Sequence, residues 1–175
     1  MKKRGFTLIE VIVVIAIIGV LTAILVPALM GYLAKSRVMS ANAAARDLNT
    51  AICIALLDMG QQEFALTKLD SDYTYTLQQI QNADDVAMSD LNKKNKTDME
   101  KYILKRINEY FTSNSALDSI AFHLNGDGGA AAAIGVMMRG YPGSYPIAIS
   151  EDAFHSRDDW DCEEALQYAL TKYDD

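Results

Sequence analysis

The chain has 175 residues, of which 50% are apolar, and its 16 basic and 23 acidic side chains give a formal net charge of −7. This length suits one folded domain. Binding to nucleic acid requires a basic surface, so the acidic balance argues against nucleic acid as the main partner. The apolar residues are concentrated near the N-terminus, which excludes a disordered chain and a membrane protein with many spans.

The N-terminal segment combines a short basic start with a long apolar run. Lys2, Lys3 and Arg4 come first, and residues 11–34 carry no charged side chain. A helix over that run would reach about 36 Å, enough for a hydrocarbon core of about 30 Å. The run is too long for a secretory signal peptide, whose apolar stretch has roughly 7–15 residues. The basic start predicts a single membrane pass with the N-terminus in the cytoplasm.

Two features of this segment are unusual for a plain membrane anchor. Glu10 stands at the start of the apolar run, where an ionised carboxylate costs several kcal/mol and marks a functional position. Beyond Lys35, alanines and larger apolar residues continue at helical spacing as far as Met59, with no Pro or Gly after Tyr32. The sequence therefore predicts one helix over residues 6–59, which would be about 80 Å long.

The segment GFTLIE at residues 5–10, which follows the basic leader, resembles the processing site of type IV prepilins. The resemblance covers roughly residues 1–60 and includes the long apolar helix. It implies that a prepilin peptidase cuts after Gly5 and N-methylates Phe6, so that residues 1–5 are a cleaved leader. It also implies that the helix first lies in the cytoplasmic membrane and later forms the core of a filament at the cell surface.

The same resemblance implies roles in assembly for particular positions of the helix. The family pairs the carboxylate that matches Glu10 with the amine of the residue that matches Phe6, chiefly on a neighbouring subunit, because a buried carboxylate is tolerated only when it is paired. Gly19 and Pro27 resemble helix-weakening sites, and the stretch between them can extend during assembly. For Gly19, ordinary packing of a membrane helix is an equal alternative.

The chain divides into four predicted regions: a leader at 1–5, a transmembrane and assembly helix at 6–34, its amphipathic continuation at 35–59 and an exported globular head at 60–175. The predicted fold class is α+β, in which the distal half of the long helix packs on a small antiparallel sheet, with an additional C-terminal helix.

Within the head, a capping box at Thr97 and Glu100 predicts a helix ending near Thr112. A further helix is expected from about Asp158 to Tyr173, and a short helix or strand around residues 73–80. Three segments have strand patterns, at 119–124, 131–138 and 145–150, and turn residues at 125–129 and 140–143 separate them.

The two cysteines, Cys53 and Cys162, lie in the predicted exported part, where oxidation is possible. We expect a Cys53–Cys162 disulfide that holds the C-terminal helix against the long helix; two buried free thiols are the alternative. Members of the resembled family that have a disulfide usually form it within the C-terminal half, so Cys53 departs from their pattern.

No arrangement of residues predicts an enzyme, a catalytic residue, a metal site or a cofactor. His123 and His155 are not at the spacing of metal ligands. The segment DWDCE at residues 159–163 resembles a fragment of a calcium loop, but helix capping explains it better. Five aromatic residues could form an exposed platform for carbohydrate or a host surface, although core packing is the favoured interpretation: Tyr73, Tyr75, Tyr141, Tyr145 and Trp160.

Taken together, the resemblance implies a structural subunit of a type IV pilus that serves adhesion, motility or DNA uptake. The implied partners are further copies of the chain, the prepilin peptidase, and the pilus assembly platform with its ATPases. Three alternatives stay open. These are a pseudopilin of a type II secretion system, which has the same kind of N-terminus, an adhesin on a pilin stalk that binds polysaccharide or a host surface, and a membrane-anchored domain that is never processed.

Overall fold

The computed structural model describes residues 6–83, 87–111, 116–125 and 131–171. The chain divides into two compact units, residues 1–36 and residues 37–175. The first unit contains the first part of a single long helix, and the second contains the rest of that helix with all the strands and shorter helices. The predicted α+β fold class, with a long N-terminal helix on an antiparallel sheet and a C-terminal helix, is confirmed.

The long helix, α1, is unbroken from Leu8 to Gln61. Its C-terminus is closed by two backbone hydrogen bonds, one from Phe64 N–H to the Met59 carbonyl and one from Glu63 N–H to the Gly60 carbonyl, both at 3.1 Å. This pattern is a Schellman motif, and Glu63 takes the left-handed position with φ 60°. Phe64 and Met59 then pack in the same core, which fixes where the chain leaves the helix.

The sheet contains four antiparallel strands in the order β1-β2-β3-β4, and its edges are β1 and β4. The strands are β1 (Ser71–Thr76), β2 (Leu117–Leu124), β3 (Ala131–Met138) and β4 (Tyr141–Tyr145). The predictions for β2 and β3 are confirmed, whereas the strand predicted at 145–150 is wrong because β4 ends at Tyr145.

The last strand is displaced because the turn before it comes earlier than predicted. Arg139 and Gly140 both have positive φ, 51° and 75°, and they join Met138 to its partner Tyr141. Two positive φ values in a two-residue connection are typical of a type I′ hairpin turn. Pro142 belonged to the predicted turn, but it lies within β4. Because β4 is an edge strand, the missing N–H of the proline is tolerated there.

The shorter helices are α2 (Leu77–Gln81), α3 (Lys96–Phe111), α4 (Glu151–His155) and α5 (Cys162–Thr171). Helix α3 begins earlier than predicted, because the side-chain oxygen of Asn95 accepts the Thr97 N–H at 3.1 Å, so that Asn95 and not Thr97 is the cap. Helix α4 was not predicted, and α5 starts four residues later than expected. The predicted end of α5 at Tyr173, and all of the turn predicted at 125–129 except Asn125, lie outside the described residues.

Residues on the two faces of the sheet pack against different helices. On one face, Ile120, Phe122, Ile134 and Val136 join the buried side of α1 in the main core. The buried residues of α1 recur at helical spacing from Val38 to Met59: Val38, Ala41, Ala44, Ala45, Leu48, Ala51, Ile52, Ala55, Leu56 and Met59. On the other face, Ala121 and Ala133 pack with Cys162, Leu166 and Ala169 of α5. The head is therefore a helix–sheet–helix arrangement.

This arrangement overturns the predicted Cys53–Cys162 disulfide, since both cysteines are free thiols. Cys53 is on α1 and Cys162 is on α5, so the sheet stands between them. A disulfide requires Cα atoms within about 7 Å, which two helices on opposite faces of a sheet do not reach. Burial raises the pKa of the Cys162 thiol. The alternative expectation, two buried free thiols, agrees better with the structure: both thiols are free and Cys162 is buried, although Cys53 is only half-buried.

Candidate assembly site at the N-terminus

Glu10 is held in position by Thr7, the residue immediately before α1. The Thr7 backbone N–H and hydroxyl donate to Glu10 Oε2 at 2.8 and 2.7 Å, and the Glu10 backbone N–H donates back to Thr7 Oγ1 at 3.4 Å. This reciprocal pair is a capping box, and it places a carboxylate at the positive end of the helix dipole. Thr7 was missed in the sequence, although Thr-x-x-Glu is a readable signal for the start of a helix.

The residues around this cap present a continuous apolar surface. The Phe6 side chain is 85% exposed, and each large apolar residue from Leu8 to Leu33 is at least 44% exposed. The described residues include one helix, α1, that is long and apolar enough to cross a membrane by length and composition. An apolar surface of this extent is not stable in water, so it requires cover from lipid or from protein.

The two predicted weak points lie within the unbroken part of α1. A Cβ added to Gly19 would meet no other atom within 4 Å, so packing inside this chain does not require glycine there. Pro27 has no N–H, so the carbonyl of Ala23 lacks its usual helical donor. Whether the stretch between them extends is untested and stays a prediction. Gly5, the predicted cut site, lies outside the described residues.

The other sequence candidates do not converge on a site. His123 Nδ1 lies 2.6 Å from Asp72 Oδ1 as a cross-strand pair, and His155 packs on the ring of Phe154. The Asp161 carboxylate accepts the Glu164 N–H at 2.8 Å, which confirms helix capping as the role of that segment. Among the described residues, no three side chains of the metal-binding types come together.

The five aromatic residues considered as an alternative platform separate into two sets. Tyr73 and Tyr75 pack with Phe122 in the main core, where the Tyr73 and Phe122 ring centroids are 5.2 Å apart, and Tyr145 packs against the same core. Tyr141 and Trp160 instead join a smaller cluster beside α4 and α5. A single platform is therefore not formed.

Comparison with known proteins gives matches at the N-terminus. Residues 1–26 match a family model described as the prokaryotic N-terminal methylation motif. The type IV major fimbrial protein FimA of Dichelobacter nodosus is 45% identical over 56 residues, which are 32% of this chain and 36% of that protein. A fimbrial protein of Moraxella nonliquefaciens is 50% identical over 50 residues, 29% of this chain and 32% of that protein.

A fimbrial protein of Pseudomonas aeruginosa is 38% identical over 71 residues, 41% of this chain and 46% of that protein. The chain thus spans less than half the length of each of these three relatives. No solved structure gives a significant match.

The α+β fold, the exposed apolar helix and its capped glutamate define the class of pilin-like proteins. By the matched motif and relatives, the N-terminal segment carries the prokaryotic N-terminal methylation motif and is similar to those of type IV fimbrial proteins. Proteins of this family are structural and not enzymatic in general.

Proposed function

We propose that the chain is a structural subunit of a type IV pilus, cut after Gly5, N-methylated at Phe6 and polymerised through α1. The observation that carries this proposal is the methylation motif at the head of a helix whose large apolar side chains from Leu8 to Leu33 are all exposed. Copies of the same helix offer the protein cover that this surface requires once it leaves the lipid. The basic leader keeps the N-terminus of the membrane precursor in the cytoplasm.

Glu10 would set the register of assembly. Cleavage after Gly5 creates an amino group on Phe6, the residue next to Thr7, whose own N–H already donates to Glu10. The carboxylate is therefore held at the end of the helix where the new positive charge appears. A carboxylate in lipid is costly unless it is paired, so pairing with the Phe6 amine of a neighbouring copy favours docking into the filament.

Removal of the leader also changes the charge of the subunit. Residues 1–5 carry three basic side chains and no acidic one, so the mature chain has a formal charge of −10. Its partners would be the prepilin peptidase, the assembly platform with its ATPases, and further copies of the chain at the cell surface.

Mass spectrometry of filaments sheared from the cell surface tests this proposal. The expected species begins at N-methylated Phe6. An intact Met1 found only in the membrane fraction would contradict it and favour an unprocessed membrane-anchored domain. Correct processing without surface filaments, together with loss of a secreted protein on deletion, would instead favour a pseudopilin.

Two variants separate the role of Glu10 from a general effect on charge. Glu10→Ala removes the carboxylate and is expected to abolish or sharply reduce filaments while leaving the head folded. The matched control is Asp47→Ala, which removes an exposed carboxylate from the same helix within the head and should leave filament number unchanged. Normal filament number in Glu10→Ala would defeat the register argument.

A further inference from the structure

A groove on the head between α1 and α3 leaves apolar side chains in water. Its volume is about 150 Å³, and both helices line it: Ala51, Ile54, Arg106, Glu109 and Tyr110. Ile54 and Tyr110 are 40% and 49% exposed, and Leu57, one turn after Ile54, is 65% exposed. The groove belongs to the unit of residues 37–175, whereas the uncharged run ends at residue 34, so protein and not lipid is the expected cover.

The side of the head that carries this groove is basic. Residues 93–111, which include α3, hold six basic and three acidic side chains, a formal charge of +3. Lys101 is exposed, and Lys105 follows it one turn later on the same helix. Arg106 is held at the edge of the groove by an ion pair with Asp58 of α1 at 2.5 Å. The groove and residues 93–111 together form what we call the basic side.

The acidic side of the head consists of residues 151–171, which include α4 and α5. These residues hold seven acidic side chains and one arginine, a formal charge of −6 with the histidine neutral. Asp152, Asp158 and Asp159 are exposed. Helix α5 packs on the face of the sheet opposite α1, whereas the buried residues of α3 join the core that contains α1. The sheet therefore separates the basic side from the acidic side.

Opposite charges on opposite sides restrict how two copies of the chain can meet. A twofold contact through either side would pair that side with itself, which brings like charges together. Copies in the same orientation instead place the basic side of one against the acidic side of the next, and this contact repeats from copy to copy. Mature subunits of charge −10 repel one another unless such a contact brings opposite charges together.

We propose that the basic side of one copy docks on the acidic side of the next copy in the filament, so that α4 and α5 of a neighbour cover the groove between α1 and α3. This inference rests on the proposed function and deepens it, because it adds an interface between heads to the contact made by the N-terminal segment. The groove supplies apolar area to be buried, and charge complementarity selects the partner surface and its orientation.

Charge reversal on each side tests the docking in cells. Lys101→Glu with Lys105→Glu is expected to reduce the number of sheared filaments at least about tenfold, because two acidic surfaces then face each other. Asp158→Lys with Asp159→Lys is expected to reduce it similarly, because two basic surfaces then meet. All four changes in one chain restore opposite charges across the contact and should return filament number to within about twofold of the unmodified chain.

The two reversals separate a specific contact from an effect of net charge. The first takes the mature chain from −10 to −14, and the second takes it to −6. General repulsion between subunits would make the second variant assemble better than the unmodified chain, whereas docking predicts that both variants assemble worse. Recovery in the variant with all four changes also excludes misfolding as the cause of either loss.

Zero-length crosslinking of unmodified filaments locates the contact directly. A carbodiimide joins lysine amines to carboxylates that touch them, and peptide mass spectrometry then identifies the joined pair. The expected link connects Lys101 or Lys105 to a carboxylate of residues 151–164. Such a link must lie between copies, because α3 and this segment are on opposite sides of the sheet within one chain.

Three results would each overturn this inference while leaving the proposed function intact. They are normal filament number in either charge reversal, no recovery in the variant with all four changes, and no link between α3 and residues 151–164 in unmodified filaments. Absence of filaments from the unmodified chain would overturn both the inference and the proposed function.

Discussion

The backbone of Gly143 on β4 lies directly against the backbone of Ala41 on α1. A Cβ built on the glycine would stand 2.2 Å from the Ala41 carbonyl carbon and 2.3 Å from its oxygen. Gly143 pairs with Val136, whose side chain belongs to the core that contains α1. The helix and the edge strand therefore approach backbone to backbone, which explains why α1 presents small alanines at this level.

Gly143→Ala is expected to lower the free energy of unfolding of the head by about 3 kcal/mol, because the methyl group cannot be accommodated without moving α1 away from β4. Urea unfolding of the full chain in detergent, followed by Trp160 fluorescence, measures this. The control is Gly60→Ala, where the nearest atom to the new Cβ is 3.8 Å away. Because Gly60 is helical, that change should raise stability by about 0.5–1 kcal/mol. Equal effects of the two variants would show that the close approach has no energetic role.

Gly135→Ala should release α5 from the opposite face of the sheet. The new Cβ would lie 2.2 Å from the Cys162 carbonyl oxygen and 2.4 Å from the Leu166 nitrogen. In a Cys53→Ser background, the rate at which a thiol reagent labels buried Cys162 is expected to rise, since labelling requires α5 to open. A labelling rate equal to that of the Cys53→Ser parent would contradict the predicted displacement.

Asn42 connects α1 to the end of the sheet through three backbone hydrogen bonds. Its Oδ1 accepts from Ser144 N–H at 2.9 Å and Ile149 N–H at 3.0 Å, and its Nδ2 donates to the Ile149 carbonyl at 2.9 Å. Asn42→Ala leaves these groups without partners and should cost about 2–3 kcal/mol in urea unfolding. Asn49→Ala on the same helix serves as the control, with an expected change within about 0.5 kcal/mol. Comparable losses in both variants would exclude a special role for Asn42.

Glu63 occupies the left-handed position that closes α1, with φ 60°. A side chain in this conformation is strained, and glycine is not. Glu63→Gly is therefore expected to raise the free energy of unfolding of the head by about 0.5–1 kcal/mol, measured in the same way. Glu63→Ala keeps the strain and should give no gain, so a similar increase in Glu63→Ala would refute the explanation.

The head should lose stability in alkali because Tyr73 is buried and Tyr75 is partly buried. Burial, reinforced by the charge of Glu100, raises the pKa of Tyr75 to about 12, and burial also raises the pKa of Tyr73. Above pH 10 the unfolded chain releases phenolic protons that the folded chain retains, so stability falls as the pH rises from about 10 to about 12. Below pH 10 this contribution is fully present.

Tyr75→Phe removes one of these protons and is expected to reduce the alkaline slope of stability. Urea unfolding of the variant and the unmodified chain at several pH values between about 10 and 12 measures the difference. Identical slopes in the two proteins would show that Tyr75 does not contribute.

Much of the fold follows from local pattern. The extent of α1 follows from helical spacing without Pro or Gly after Tyr32, and β3 follows from an apolar run between turn residues. The turn at Arg139 and Gly140 was not predictable, because Arg is not a usual residue at a positive φ. The presence of Pro142 led to a turn being predicted at 140–143 instead. The left-handed residue that closes α1 was also not predictable, since it is Glu63 and not glycine.

The sequence by itself determined the N-terminal methylation motif and the long helix that follows it, because these depend on neighbours within one or two turns of chain. Only the tertiary structure decided which face of the sheet each helix covers. That choice depends on which strand side chains point towards which helix, and it separated Cys53 from Cys162 and Tyr73 from Trp160.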